Sequence, residues 1–210
     1  MSDRGWFISL EGGEGAGKST LADALEQRLR EAGLDVLRTR EPGGTSFGED
    51  VRAVVLDPAH PDVSPWAELF LMLAARAQLV HESIRPALEA GKVVLCDRFA
   101  DASVAYQGVG RDLGFEAVRA LNRTATGGCM PDLTLFLDLD PRAGRSRQSG
   151  EADRMEREEF AFHDRVRAGY RQVARAEPDR VKVLDASRSA AEVLDSAWQL
   201  VADVTGCKSS

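Results

Sequence analysis

Short apolar runs alternate along the chain with longer amphipathic stretches. The apolar runs predict five buried strands at 6–10, 35–39, 92–96, 133–139 and 180–184. The amphipathic stretches predict helices at 18–32, 46–57, 65–90, 115–126, 141–147, 156–176 and 189–204. Strands that alternate with helices predict a parallel sheet with right-handed crossovers. The expected fold is therefore α/β, a three-layer α/β/α sandwich around a five-stranded parallel sheet.

The loop after the first predicted strand carries the clearest chemical signal. It fits the pattern G-x-x-x-x-G-K-[ST] between a strand and a helix, the context in which this motif cradles phosphate and marks a P-loop NTPase fold. Its glycines let backbone N–H groups converge on phosphate oxygens, and the helix N-terminus adds a positive dipole. Lys18 can reach the β- and γ-phosphates, and the Ser19 hydroxyl can ligate magnesium. The residues predicted to bind ATP are Gly12, Gly13, Glu14, Gly15, Ala16, Gly17, Lys18, Ser19 and Thr20.

The third predicted strand ends on an acidic and a basic residue, Asp97 and Arg98. Ligands of open α/β sheets bind beyond the carboxyl ends of the strands. There Asp97 can accept a hydrogen bond from the Ser19 hydroxyl or from magnesium-bound water, and Arg98 can hold a phosphate through two hydrogen bonds. A salt bridge at the strand end is the structural alternative.

Two further segments admit both a functional and a structural interpretation. The sequence Thr-Arg-Glu-Pro-Gly-Gly-Thr at 39–45 predicts a rigid turn whose polar side chains orient a substrate. An ordinary connection with a solvated ion pair is the alternative. Met72 and Arg76 are four residues apart on a predicted helix, so one could cover a base while the other bonds its edge. A core methionine beside a surface charge is the alternative there.

An arginine-rich segment broken by glycine follows the fourth predicted strand. It predicts a mobile lid, over about residues 142–156, whose arginines close over a transferring phosphoryl group. The arginines of this segment include Arg142, Arg145, Arg147 and Arg154. A solvated charged loop is the alternative, because arginine is abundant throughout the chain.

Length, charge and cysteine content limit the function classes. The 210 residues predict one domain over 1–210 with a polar tail at about 205–210. A formal net charge of −7 argues against a nucleic-acid polymer or an anionic membrane as partner. The three widely spaced cysteines predict neither a disulfide framework nor a zinc site. With no signal peptide and no membrane-spanning run, the expected location is the cytoplasm.

Taken together, these motifs resemble those of the bacterial thymidylate kinases (dTMP kinases), a family of P-loop nucleoside monophosphate kinases. The resemblance extends over roughly residues 6–204, and its specific segments are 7–20, 39–45, 74–78, 97–108 and 131–138. It implies magnesium-dependent transfer of a phosphoryl group from ATP to dTMP, giving dTDP. It also implies a homodimer formed through helices within 46–130 and a cis peptide bond between Glu41 and Pro42.

The resemblance also implies roles for individual residues. In the family pattern Lys18, Arg98 and Glu14 take part in catalysis, and Ser19, Asp97 and Glu14 hold or position magnesium. The residues that would bind dTMP are Glu41, Arg52, Met72, Arg76, Arg98, Ser103, Tyr106 and Gln107. Within this set, Arg52 and Arg98 would hold the phosphate with Arg40 nearby. Arg76, Ser103 and Gln107 would bond the thymine edge, and Glu41 and Tyr106 would face the deoxyribose.

Two departures qualify this pattern. Met72 stands where the family usually has an aromatic side chain against thymine. Glu14-Gly15 carries no arginine, so the chain resembles the subtype that supplies its catalytic arginine from the lid, for which Arg145, Arg147 and Arg154 are the candidates. Another P-loop nucleoside or nucleotide kinase is the alternative function. A regulatory NTPase switch is disfavoured, because the chain has a second predicted anion site and a lid instead of a nucleotide-sensing loop.

Overall fold

The computed structural model describes residues 4–147 and 151–207. Its centre is a five-stranded parallel sheet with the strand order β2-β3-β1-β4-β5. The strands are β1 (Phe7–Gly12), β2 (Val36–Arg40), β3 (Val93–Asp97), β4 (Leu133–Asp138) and β5 (Val181–Asp185). All five predicted strands are confirmed, each within one or two residues of its predicted bounds.

Helices lie on both faces of this sheet. They are α1 (Lys18–Glu31), α2 (Ser46–Leu56), α3 (Pro65–Leu79), α4 (Arg85–Glu89), α5 (Ala100–Ser103), α6 (Phe115–Thr126), α7 (Pro141–Arg145), α8 (Phe160–Ala176) and α9 (Ala190–Thr205). Two π-helical segments, Val80–Ile84 and Val104–Gly110, continue α3 and α5. The predicted helix 65–90 is thus one helical run with a π-helical turn inside it, whereas the helical run 100–110 was not predicted.

Side chains of the strands are buried on both faces of the sheet, against a layer of helices on each. Phe7 packs with Val94 on one face, while its neighbour Ile8 packs with Leu25 and Val201 on the other. Successive side chains of a strand point to opposite faces, so the apolar runs of β1, β3 and β4 cover both layers. The three-layer α/β/α arrangement is confirmed.

Strand register brings the predicted motifs to one edge of the sheet. Leu10 of β1 pairs with Asp97 of β3, and Arg40 of β2 pairs with the same residue from the other side. The glycine loop after β1, the turn after β2 and the Asp97-Arg98 pair therefore meet beyond the carboxyl ends of three adjacent strands. The Glu41–Pro42 peptide bond in this turn is cis, as the resemblance implied.

The predicted lid differs in its bounds. Helix α7 ends at Arg145, two residues early, and α8 begins at Phe160 instead of 156. Residues 154–157 form a turn instead, beside which Glu156 N donates to Asp153 Oδ1 (2.9 Å) and Asp153 N donates to Glu156 Oε2 (3.1 Å). Residues 148–150 of the predicted lid lie outside the described residues, as does the end of the predicted polar tail. No helix within the described ranges is both long and apolar enough to cross a membrane.

Candidate active site

The glycine loop wraps around its own lysine. Lys18 Nζ donates to the carbonyl oxygens of Gly13 (2.9 Å) and Gly12 (3.3 Å), and α1 begins at Lys18. Gly15 and Gly17 have φ angles of 67° and 91°, in the left-handed region that favours glycine. Burial lowers the pKa of Lys18, and the nearby Arg98 lowers it further. The loop therefore holds a partly desolvated cation at the N-terminus of a helix, which suits a phosphate anion.

Oxygen ligands suitable for magnesium lie beside this loop. Ser19 Oγ donates to Asp97 Oδ2 at 3.4 Å, which brings together the two groups predicted from the sequence. Magnesium takes oxygen ligands, commonly one or two from protein together with waters and phosphate. A hydroxyl and a carboxylate side by side at the cavity wall fit this ion.

A large cavity extends to both sides of the glycine loop. Its volume is about 1350 Å³. One side, here called the acceptor side, is lined by Arg40, Glu41, Arg52, Asp97 and Arg98. The other, here called the donor side, is lined by Arg147, Ala186, Arg188, Ser189 and Leu194. Such a shape can hold two ligands that meet at the glycine loop.

The acceptor side is an anion site by its electrostatics. Burial lowers the pKa of the Arg52 guanidinium, and repulsion from Arg40 and Arg98 lowers it further. Arg52 Nη1 donates to Pro42 O at 2.9 Å, which fixes it beside the turn after β2. Guanidinium groups that repel one another around a cavity are stabilised when an anion binds between them.

Arg98 lies between the glycine loop and the acceptor side. Its φ angle of 67° is a strained value for a residue with a side chain. The guanidinium donates to Gly12 O (2.7 Å) and pairs with the Glu14 carboxylate, to which Tyr106 also donates (3.1 Å). Burial alone would raise the pKa of Glu14, but Arg98 and Lys18 outweigh it and hold the pKa at about 2. Glu14, proposed as a magnesium residue, is thus here a partner of Arg98.

A buried carboxylate that the sequence analysis did not select supports this arrangement. Glu11 Oε1 accepts from Phe99 N (2.7 Å), and its Oε2 accepts from Tyr170 Oη (2.9 Å). Tyr170 Oη in turn accepts from Arg98 Nη1 at 3.2 Å. Burial raises the pKa of Glu11 to about 8, and Asp101 contributes to the rise. A carboxylate inside an otherwise apolar strand was the signal that could have identified it.

Arg76 is the centre of a buried network behind the acceptor side. Only 2% of its surface is exposed. Its donors reach Glu41 Oε2 (2.7 Å), Ser103 Oγ (2.9 Å), Asn122 Oδ1 (2.5 Å) and Phe99 O (3.0 Å). Burial raises the pKa of Glu41 to about 7, against the opposing effect of Arg76. The structure thus brings together Glu41, Arg76 and Ser103, three of the residues predicted to bind dTMP, and adds Asn122, which no sequence pattern indicated.

Gln107 and Glu68 form a second contact between α3 and the helical run 100–110, beside that of Arg76 with Ser103. Gln107 Nε2 donates to Glu68 Oε1 at 2.8 Å, and both side chains are buried. Met72 is half-buried on α3, four residues from both Glu68 and Arg76. The side chains predicted to bind the base therefore lie where α3 faces the helical run 100–110.

The three candidate lid arginines occupy different environments. Arg147 lines the donor side and donates to Ala186 O at 3.2 Å. Arg145 donates to the backbone carbonyl of Glu156. Arg154 is buried and donates to Glu68 Oε2 (2.6 Å) and Val55 O (2.8 Å), away from the glycine loop. Of these three side chains, only that of Arg147 lines the cavity in this structure.

A phosphate-binding loop beside a second cationic site, on a parallel α/β sheet, defines a P-loop kinase of small phosphorylated molecules. Comparison with known proteins identifies the family of this kinase. A family profile described as thymidylate kinase matches residues 10–197. The chain belongs to the thymidylate kinase family.

Relatives support this membership over almost the whole chain. It is 52% identical over 202 residues to a thymidylate kinase of Deinococcus radiodurans, covering 95% of this chain and 98% of the relative. It is 47% identical to a thymidylate kinase of Halalkalibacterium halodurans, covering 94% and 96%. The crystal structure of an Ehrlichia chaffeensis thymidylate kinase is similar with a TM-score of 0.79 at 28% identity, covering 94% of this chain and 99% of that one.

Proposed function

We propose that this protein transfers the γ-phosphoryl group of ATP to the 5′-phosphate of dTMP, giving dTDP and ADP. The proposal rests on one observation. The glycine loop lies within one cavity, between a donor side and a cationic acceptor side. Such a cavity brings two phosphate-bearing ligands end to end. Membership of the thymidylate kinase family supports dTMP as the acceptor.

The residues of the loop and of β3 supply most of the charge stabilisation. Lys18, now bonded to the carbonyls of its own loop, exchanges these acceptors for the β- and γ-phosphates of ATP. Ser19 and Asp97 would hold magnesium, which neutralises phosphate charge when bound. Phosphoryl transfer needs little further chemistry from the protein beyond positioning and electrostatic stabilisation.

Arg98 and Arg52 hold the acceptor phosphate in this proposal. Arg98 already sits between Gly12 O and Glu14, so a dTMP phosphate takes over a guanidinium that the protein has oriented. A doubly hydrogen-bonded guanidinium suits a phosphate better than a point charge does. Glu14, once released from Arg98, is free to help position magnesium-bound water.

The catalytic cation of the lid is assigned to Arg147. It alone among the three candidates lines the cavity beside the glycine loop. Arg145 lies behind the loop, in a smaller cavity that Glu14 also lines. Arg154 is engaged with Glu68, which gives it a structural part in this conformation.

In this proposal the base and sugar of dTMP lie between α3 and the helical run 100–110. Met72 covers the thymine ring, and its thioether contacts a base with less directional preference than an aromatic ring would have. Arg76, Ser103 and Gln107 line the edge of the base. Tyr106 occupies the space next to the sugar, which favours a deoxyribose over a ribose.

The direct test is an acceptor panel in a coupled assay of ADP release. We expect turnover with dTMP to exceed that with UMP, CMP, AMP and shikimate. Equal or greater turnover with any of the other acceptors would reject the assignment. Slow ATP hydrolysis that dTMP does not stimulate would instead favour a regulatory NTPase.

The proposal extends to the location and the assembly of the protein. A kinase of deoxynucleotide synthesis works in the cytoplasm, where ATP and dTMP are found. A homodimer is supported by an exposed apolar face on α2 and α3, formed by Phe47, Val54, Trp66 and Phe70. Large apolar faces on a protein surface commonly mark interfaces.

A further inference from the structure

Two hydrogen-bonded side-chain pairs join α3 to the helical run 100–110. Arg76 donates to Ser103 Oγ at 2.9 Å, and Gln107 donates to Glu68 Oε1 at 2.8 Å. Glu68, Met72 and Arg76 are spaced four residues apart, so they lie along one face of α3. Met72 stands between the two pairs, and a base lying against it has one pair at each end.

The chemistry of a carboxylate fixes which way round the Gln107 amide lies. An ionised carboxylate can only accept hydrogen bonds, so Gln107 has to turn its NH2 group toward Glu68. The carbonyl oxygen Oε1 of Gln107 then points away from Glu68. The amide is thereby restricted to one of its two possible orientations and offers an acceptor to any neighbour on its other side.

Glu68 is kept ionised although it is buried. Its Oε2 accepts from Arg154 (2.6 Å) and Arg111 (3.1 Å), and Arg111 also pairs with Glu158 (2.6 Å). Burial alone would raise the pKa of Glu68, but Gln107 and these two arginines lower it below its ordinary value. The negative charge that orients Gln107 is therefore stable near neutral pH.

Arg154 takes part in this support through backbone contacts as well. Its N–H donates to Leu56 O (3.1 Å), and its Nε donates to Val55 O (2.8 Å), both at the end of α2. These contacts anchor the segment before α8 to the end of α2 and to Glu68 on α3. They give Arg154 a structural role that does not depend on ATP.

We propose that Glu68 is the residue that makes this kinase distinguish thymine from cytosine, by holding Gln107 with its carbonyl oxygen toward position 3 of the bound base. Thymine carries an N–H at N3 and can donate to this oxygen, whereas cytosine has a lone pair there and is repelled. Glu68 does not touch the base, so it is a positioning residue that acts through Gln107. The inference rests on the proposed function, because it takes dTMP as the acceptor.

The test compares dTMP and dCMP as acceptors for the wild type and Glu68→Gln. A glutamine at position 68 can either donate or accept, so the Gln107 amide can flip. We expect the ratio of kcat/KM for dTMP over dCMP to fall by about tenfold or more, since hydrogen-bond complementarity to a base edge gives discrimination of at least this size. The change should appear in the KM of the acceptor, while the KM of ATP changes less than about twofold.

The chain offers a matched control. Gln27 Nε2 donates to Glu31 Oε1 at 2.8 Å in the same kind of pair, but on the exposed surface of α1. Glu31→Gln should leave the acceptor ratio unchanged. If Glu68→Gln does not fold, Glu68→Asp tests the same point, because it keeps the charge for Arg111 and Arg154 but shortens the reach to Gln107.

The outcomes separate this inference from the function on which it rests. A wild type that does not prefer dTMP rejects the proposed function. A wild type that prefers dTMP, with variants that lose activity toward both acceptors equally or keep the ratio within about twofold, overturns the inference alone. A fall in the ratio for the Glu68 variant and no change for Glu31→Gln supports it.

Discussion

The buried carboxylate of Glu11 should make the free energy of unfolding depend strongly on pH. Its pKa is raised to about 8, from 4.5, chiefly by burial. Between these values the folded protein binds more protons at Glu11 than the unfolded chain does. The free energy of unfolding therefore falls as the pH rises through this window, by up to about 5 kcal/mol, since one pKa unit corresponds to about 1.4 kcal/mol.

Glu11→Gln should remove this dependence. The amide still accepts from Phe99 N and can still pair with Tyr170 Oη, but it does not ionise. We expect urea unfolding to give a stability difference, variant minus wild type, that increases from pH 5 to pH 8.5. The pKa of Glu41 is also raised, to about 7, but it contributes equally to both proteins. Parallel stability profiles for the two proteins would contradict the prediction.

At the residue scale, the sequence predicts the groups that belong to contiguous motifs and misses their buried partners. Lys18, Ser19, Asp97 and Arg98 follow from strand ends and a known spacing, and the structure brings them together. Glu68 is a different case, because it contacts Gln107 and Arg154, which are 39 and 86 residues away along the chain. No local pattern encodes such pairs, since they depend on how helices pack.

At the element scale, helix α7 is seated directly on the glycine loop. A Cβ atom at Gly144 would lie 2.2 Å from Glu14 O, and one at Gly15 would lie 2.1 Å from Gly144 O. The backbones touch here, so neither position has room for a side chain. This contact explains physically why position 15 of the loop is a glycine and not an arginine.

Gly144→Ala should push α7 away from the loop. We expect the free energy of unfolding to fall by about 1–3 kcal/mol, the usual cost of overpacking. The KM of ATP should rise at the same time, because Arg147 follows α7 into the donor side. Urea unfolding measures the free energy of unfolding. Steady-state kinetics at saturating dTMP measure the KM of ATP.

A second glycine provides the comparison for this variant. Gly108 also lies in a helical run, but an added Cβ would approach its nearest neighbours only to 3.5 Å, an ordinary contact. Gly108→Ala should therefore keep the KM of ATP. Equal effects of the two substitutions on this KM would show that the contact between α7 and the loop has no special importance for the donor side.

Periodicity predicts elements well where burial on one face decides them. The strands and the long helices α1, α6 and α9 are found within about one or two residues of their predictions. The helical run 100–110 was missed because its residues face buried groups on several sides, which hides the amphipathic period. Before the late start of α8 lies a separate turn, in which Asp153 and Glu156 exchange hydrogen bonds.

At the scale of the whole molecule, alternation of strands and helices predicts a parallel sheet but not its strand order. The order β2-β3-β1-β4-β5 places β1 at the centre, between β3 and β4. The glycine loop consequently has the ends of β3 and β2, with Arg98 and Arg40, on its acceptor side and the segment after β4 on its donor side. That placement turns separate motifs into one cavity, and only the structure reveals it.

The exposed apolar face on α2 and α3 predicts that the protein is a homodimer. Four of the seven large apolar side chains that are exposed among the described residues belong to these two helices. Trp66 and Phe70 lie side by side, with their ring centroids 5.9 Å apart, and Phe70 is 55% exposed. Association of two copies through this face would remove these rings from water.

Phe70→Glu should therefore dissociate the dimer, because pairing of two copies would bury a charge without a partner. Sedimentation velocity at micromolar concentration is expected to show a dimer for the wild type and a monomer for this variant. Val183→Glu is the control, since Val183 is similarly exposed (52%) but lies on β5. A monomeric wild type, or a dimer that dissociates only with Val183→Glu, would show that α2 and α3 do not form the interface.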